Sequence, residues 1–211
     1  MVKRGFNRYQ LKGLKMTVFS LCLMPFLLII WDGFNDSLGA EPIQTLHFRT
    51  GDWALRFLLI TLAMSPLQRL LQAPWPIRLR RMLGLFAFFY TSFHLLVWLV
   101  LDQSLSLDNM LQDVPESPYI MLGLVAYLML IPLAITSTAG MMRRLGTSWV
   151  LLHRTIYLIA IMGVVHFFWL TKLDYAEPII YAGLLTILLV FRWGTLRRIL
   201  MLNGKKPSVV K

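Results

Sequence analysis

Apolar positions fall into long runs separated by short polar stretches, at residues 14–31, 53–71, 82–101, 118–138, 149–171 and 178–193. Several runs approach or exceed the roughly 20 residues needed to cross about 30 Å of hydrocarbon. The pattern predicts an all-α integral membrane protein: one domain over residues 1–211, built as a bundle of six transmembrane helices. Pro25 predicts a kink in span one, which membrane helices tolerate. Pro66 shapes the exit of span two, and Pro118 suits the first turn of span four. The connections are then 32–52, 72–81, 102–117, 139–148 and 172–177, with a basic arm before span one and a basic tail after span six.

Composition agrees with that class. The 211 residues are 57% hydrophobic and 15% charged, where a soluble domain carries about a quarter charged residues. The net charge of +11 raises nucleic acid as a partner, but the placement of the charge argues for a membrane instead. Nearly all lysines and arginines lie in the N-terminal arm, the 72–81 turn with Arg69 beside it, the 139–148 turn and the tail. Every acidic residue lies in the opposite loops: Asp32, Asp36, Glu41, Asp52, Asp102, Asp108, Asp113, Glu116, Asp174 and Glu177. Only Arg49, Arg56 and Lys172 are basic there. The positive-inside rule then puts both termini in the cytoplasm, and the basic face attracts anionic lipid. Trp31, Trp53, Trp98 and Trp169 mark the outer interface; Trp75, Trp149 and Trp193 mark the inner one. Cys22 is the single cysteine, which excludes an intramolecular disulfide and a thiolate cluster. A cleavable signal peptide is not expected, because the first run is too long and no small-residue cleavage site follows Trp31.

The histidines supply the candidate chemistry. Three of the four, His94, His153 and His166, lie inside apolar runs, where polar side chains are costly and functional by default. His94 and His166 each lie about 8–10 Å before the outer ends of spans three and five. Two imidazoles at one depth on facing helices can hold one haem iron from both sides, an arrangement that suits a low-spin electron carrier. His153 lies about 20 Å deeper, so it cannot share that iron, and on a straight helix it points about 140° away. It is a candidate ligand for a second, inner haem. Gly163 offers a place for the distortion this requires, and Met82 is a candidate thioether partner. The competing reading is that these histidines hydrogen-bond between helices. His47 falls in the 32–52 loop, where a solvated or interfacial role is expected. Arg78, Arg80, Arg81, Arg143 and Arg144 are the best-placed residues for haem propionates or a flavin phosphate.

RRMLGLFAFFYTSFHL (80–95), LAITSTAGMMRRLGTSWVLLHRTIYL (133–158) and VVHFFW (164–169) together resemble the MsrQ (YedZ) family. GDWALRFLLITLAMSPLQRL (51–70) and IIYAGLLTILLVFRW (179–193) fit it too. That family is similar to the ferric reductase transmembrane domain family, whose members usually carry four haem-ligating histidines; this chain has three within its spans. The resemblance implies a bacterial inner-membrane b-type cytochrome holding one or two haem b groups, and FMN. It further implies electrons drawn from the quinone pool or a flavin reductase and passed to MsrP, a periplasmic molybdopterin methionine sulfoxide reductase. The chain would be the electron-transfer subunit rather than the catalytic one. His94 and His166 become the outer haem pair and His153 the third ligand. A haem-containing ferric or cupric reductase subunit is the alternative, and it would need a nicotinamide and flavin domain from a partner. A cofactor-free transporter fits less well, since no acidic residue lies inside a span.

Overall fold

The computed structural model describes residues 6–171 and 175–203, with side chains as far as residue 192. Helices follow one another in the order α1 (Arg8–Phe34), α2 (Pro42–Leu70), α3 (Trp75–Val97), α4 (Leu107–Glu116), α5 (Pro118–Ile135), α6 (Ala139–Leu145), α7 (Thr147–Arg154), α8 (Ile156–Leu170) and α9 (Ala176–Asn203). A π-helical turn, Trp98–Asp102, extends α3. There is no strand among the described residues. Four stretches are long and apolar enough to cross a membrane: Arg8–Phe34, Trp75–Asp102, Pro118–Ile135 and Thr147–Leu170.

Several boundaries differ from those expected of the sequence. The loop expected at 32–52 is mostly helix: α1 runs to Phe34, and Pro42, which needs no N–H in a first turn, opens α2 eleven residues before the apolar run begins. Likewise, α3 starts at Trp75 with Pro76 in its first turn, so most of the expected 72–81 turn is helical. The acidic 102–117 connection contains the amphipathic helix α4, capped by Ser106 accepting from the Asn109 N–H at 3.4 Å. The helix expected at 118–138 ends at Ile135. Span five is two helices rather than one: the Thr155 N–H bonds Leu152 at 3.1 Å, and its hydroxyl donates to the same carbonyl at 2.7 Å. The distortion foreseen at Gly163 therefore sits at Thr155. Lys3, Arg4, Lys172 and Asp174 lie outside the described residues, as do the Trp193 side chain and the side chains of the tail.

Burial explains why α2 can be the least apolar of the long helices. Ala54, Leu55, Phe57, Leu58, Leu59, Leu62 and Met64 are all buried in the core, with Leu79, Leu83, Phe86, Ala87 and Tyr90 of α3 against them. A helix wrapped by neighbours meets little lipid, so Arg56 and Thr50 are tolerated on it. On the outer helices the relation is reversed: Leu27, Trp31, Leu128, Ile180 and Val190 expose more than half of their surface. Such broad apolar exposure is stable in lipid and a liability in water.

One contact ties α1 to the core. The fully buried Tyr90 hydroxyl accepts from the Phe26 N–H at 2.9 Å and donates to the Cys22 carbonyl at 2.8 Å. Those two backbone groups form the helical rung next to Pro25, which interrupts the ladder of α1. A side-chain hydroxyl is thus brought to a rung that proline has weakened, where no water can serve. Phe19 against Phe86, and Phe26 against Phe89 and Phe93, complete the seam as edge-to-face pairs.

Candidate functional site

A cavity of about 1150 Å³ opens between α2, α3, α5 and α8, with apolar walls that include Leu55, Leu58, Leu124, Leu130 and Ile159. Glu41, Asp102, Asp113 and Glu177 belong to its lining at the end where the acidic connections gather. His94 from α3 and His166 from α8 both line it. Their ring centres are 6.2 Å apart and their planes nearly perpendicular, at 86°.

Each ring is held from behind. The Nδ1 of His166 lies 2.7 Å from the Tyr119 carbonyl, and that of His94 lies 3.1 Å from the His47 carbonyl. A carbonyl only accepts, so Nδ1 carries the proton in both rings and Nε2 keeps its lone pair. Thr50 supports the same assignment. Its hydroxyl donates to the Leu46 carbonyl at 2.6 Å, leaving oxygen lone pairs to accept from His94 Nδ1 at 3.1 Å.

Two glycines make room for these rings. A Cβ on Gly123 of α5 would stand 3.0 Å from both Cε1 and Nδ1 of His166. A Cβ on Gly51 of α2 would stand 3.2 Å from Cε1 and 3.3 Å from Nδ1 of His94. The imidazoles therefore lie directly on neighbouring helix backbones, which is what brings carbonyls within reach of Nδ1. Neither glycine, nor Thr50 or Tyr119, is marked by any local pattern: each is identified only by what lies opposite it.

His47 also belongs here rather than in a solvated loop. It sits in the first turns of α2, with its ring centre 5.4 Å from that of His94. Its Nε2 is 2.9 Å from an oxygen of Asp102, the last residue of the π-helical turn. No group of three or more histidine, cysteine or acidic side chains among the described residues has metal-binding geometry by itself. His94 and His166 thus stand as a pair of rings on one cavity.

The remaining sequence candidates lie elsewhere. His153, on α7, stacks on Trp149 with ring centres 3.9 Å apart and has Nδ1 3.1 Å from the Trp149 carbonyl. Its Nε2 is buried without a hydrogen-bond partner. Arg78, Arg81, Arg143 and Arg144 are exposed, whereas Arg80 is half-buried. Met82 packs against the core.

Residues 50–164 match the family model described as "Ferric reductase like transmembrane component". That span includes His94 and His153 and stops short of His166. A relative from Xanthomonas euvesicatoria pv. vesicatoria, named protein-methionine-sulfoxide reductase heme-binding subunit MsrQ, is 48% identical over 84% of this chain and 84% of its own. One of the same name from Herminiimonas arsenicoxydans is 45% identical over 90% of this chain and 89% of its own. The chain belongs to the MsrQ family. No solved structure matches it. With the MsrQ relatives aligned over most of the chain, the likeness extends past the family-model match at both ends.

Proposed function

We propose that the chain is the haem-binding membrane subunit of a methionine sulfoxide reductase system, holding haem b between His94 and His166. The observation that carries this reading is the facing pair itself. With a metal–imidazole bond of about 2 Å, and roughly 1 Å more from nitrogen to ring centre, two ligands on opposite sides of one iron have ring centres about 6 Å apart. The separation here is 6.2 Å, with both Nδ1 atoms committed to backbone acceptors and both rings on an apolar cavity. When bound, the haem supplies a one-electron couple. The chain's own residues do the rest: Tyr119, His47 and Thr50 fix the tautomer and strengthen the basicity of the two imidazoles, and the aliphatic walls exclude water.

The proposal extends to the membrane. Both termini face the cytoplasm of a bacterial inner membrane, and α2 and α9 join the four longer apolar stretches to make six spans. Electrons enter from the quinone pool or a flavin reductase, with FMN as the flavin that the family resemblance implies. They leave at the acidic end of the cavity toward a periplasmic molybdopterin enzyme of the MsrP kind. Support for a second haem on His153 comes from its buried, unpartnered Nε2. A ferric or cupric reductase subunit is the second reading, favoured by the family model matched over residues 50–164.

The test is the reduced-minus-oxidised optical spectrum of purified protein, with haem counted per chain. Low-spin b-type bands are expected in the wild type and lost in His94→Ala and His166→Ala. A ratio near two that falls to one in His153→Ala supports the inner haem. Colourless wild-type protein after haem-sufficient expression would refute the whole reading.

A further inference from the structure

Two guanidinium groups share one tyrosine at the end of the bundle opposite the acidic loops. Arg192 of α9 lies over the Tyr157 ring, 5.1 Å from its centre, and its Nη1 is buried without a hydrogen-bond partner. Half-buried Arg80 of α3 comes near both the Tyr157 hydroxyl and Arg192. The Nε2 of His153 is another of the three buried side-chain atoms left without a partner among the described residues. Among the described residues neither guanidinium pairs with a carboxylate: the ion pairs join Asp102, Asp32 and Asp52 to His47, Arg49 and Arg56.

Like charges placed together with a buried, unbonded N–H are unfavourable unless something anionic joins them. We infer that the inner ends of α3, α8 and α9 form an oxyanion-binding site, with Arg80 and Arg192 as its two donors and Tyr157 as the surface that holds Arg192 in place. A guanidinium presents parallel N–H groups that match a phosphate or carboxylate in two-point contact. The occupant is accordingly a phosphate or carboxylate group carried by a molecule at the membrane interface. It comes either from an anionic phospholipid of that leaflet or from a cofactor bound at that end. The inference rests on the proposed orientation only for the choice of leaflet, and not on haem ligation at His94 and His166. Arg192 lay unnoticed in the sixth apolar run, and Arg80 is singled out from the other arginine candidates by its burial.

The experiment uses full-length protein in nanodiscs of phosphatidylcholine with a minority of phosphatidylglycerol. Bound phospholipid is counted by native mass spectrometry, and haem and flavin per chain by extraction. Arg80→Gln and Arg192→Gln are compared with wild type and with Arg8→Gln, at an exposed position on α1. Each loses a charge-assisted contact, so retention of the anionic molecule should weaken about tenfold or more. Loss of phosphatidylglycerol alone assigns the site to lipid; loss of haem or flavin stoichiometry assigns it to a cofactor. Low-spin bands from the His94 and His166 pair report that each variant is folded. Variants that keep those bands together with wild-type lipid, haem and flavin would overturn the inference. Wild-type protein without the bands would instead sink the proposed function and leave the lipid count readable, with circular dichroism then reporting the fold.

Discussion

Replacing Gly123 with alanine puts a methyl carbon 3.0 Å from two atoms of the His166 ring. An ordinary contact begins at 3.4 Å, so ring and backbone must separate by about 0.4 Å. Coordination tolerates roughly 0.2 Å of error in a metal–ligand distance. The ring cannot absorb the displacement by turning in place, because Nδ1 is tied to the Tyr119 carbonyl at 2.7 Å. Either that hydrogen bond lengthens or, on the proposed ligation, the bond to iron would. Loss of an outer-shell partner weakens metal binding by about 10–100-fold, equivalent to roughly 1.4–2.8 kcal/mol. The assay is haem transfer from the purified protein to excess apomyoglobin, followed by absorbance, alongside the spin state of the ferric form. Gly123→Ala should release haem about 10–100 times more readily and show a partly high-spin spectrum. Gly183→Ala, whose added carbon meets nothing within 4 Å, should behave as wild type. If Gly123→Ala kept a fully low-spin spectrum and wild-type release, the close approach of α5 to His166 would not be supporting an iron ligand.

Further outcomes follow from other contacts. Thr50→Val removes one acceptor from His94 Nδ1 and leaves the His47 carbonyl. Haem should be retained while reduced ligand basicity raises the midpoint potential, read by redox titration; an unchanged potential would deny Thr50 its role. Perpendicular imidazole planes should give the ferric form a strongly anisotropic low-spin electron paramagnetic resonance signal, and a signal typical of parallel planes would contradict the ring geometry. Tyr90→Phe strands the Phe26 and Cys22 backbone groups and should cost about 1–3 kcal/mol, seen as a lower midpoint in detergent unfolding. The acidic rim of Glu41, Asp102, Asp113 and Glu177 should attract a basic acceptor protein. Electron transfer should then slow as ionic strength rises, whereas a rate indifferent to salt would rule out steering.

What was legible in the sequence was whatever repeats along a helix. Apolar run length identified the helices, and counting residues from the ends of the runs put His94 and His166 at one depth; the structure brings these two rings together. Boundaries were harder. The polar stretch before Trp53 reads as a loop by hydropathy, yet from Pro42 onward it is helix, because proline suits a first turn and an exposed helix face does not need to be apolar. His47, expected in that loop, stands on the helix. The groups behind the histidines were invisible altogether. Tyr119 contributes a carbonyl, Gly51 and Gly123 contribute the absence of a side chain, and neither property leaves a trace in a hydrophobic pattern. The break at Thr155 depends on one hydroxyl turning back to Leu152, a local choice that the apolar run does not reveal.

The Tyr90 bridge has a bearing on how the chain is made. Synthesis delivers α1 first, but the hydroxyl that serves its proline-weakened rung arrives 64 residues later, carried by α3. Until then the first helix waits in lipid with a poorly served backbone. Its only route out of that state is the correct seating of α3, since no water is available as a substitute. The bridge therefore makes the seating of the first helix depend on that of the third: a nascent chain in which α3 is misplaced leaves the Phe26 and Cys22 backbone groups without the Tyr90 hydroxyl.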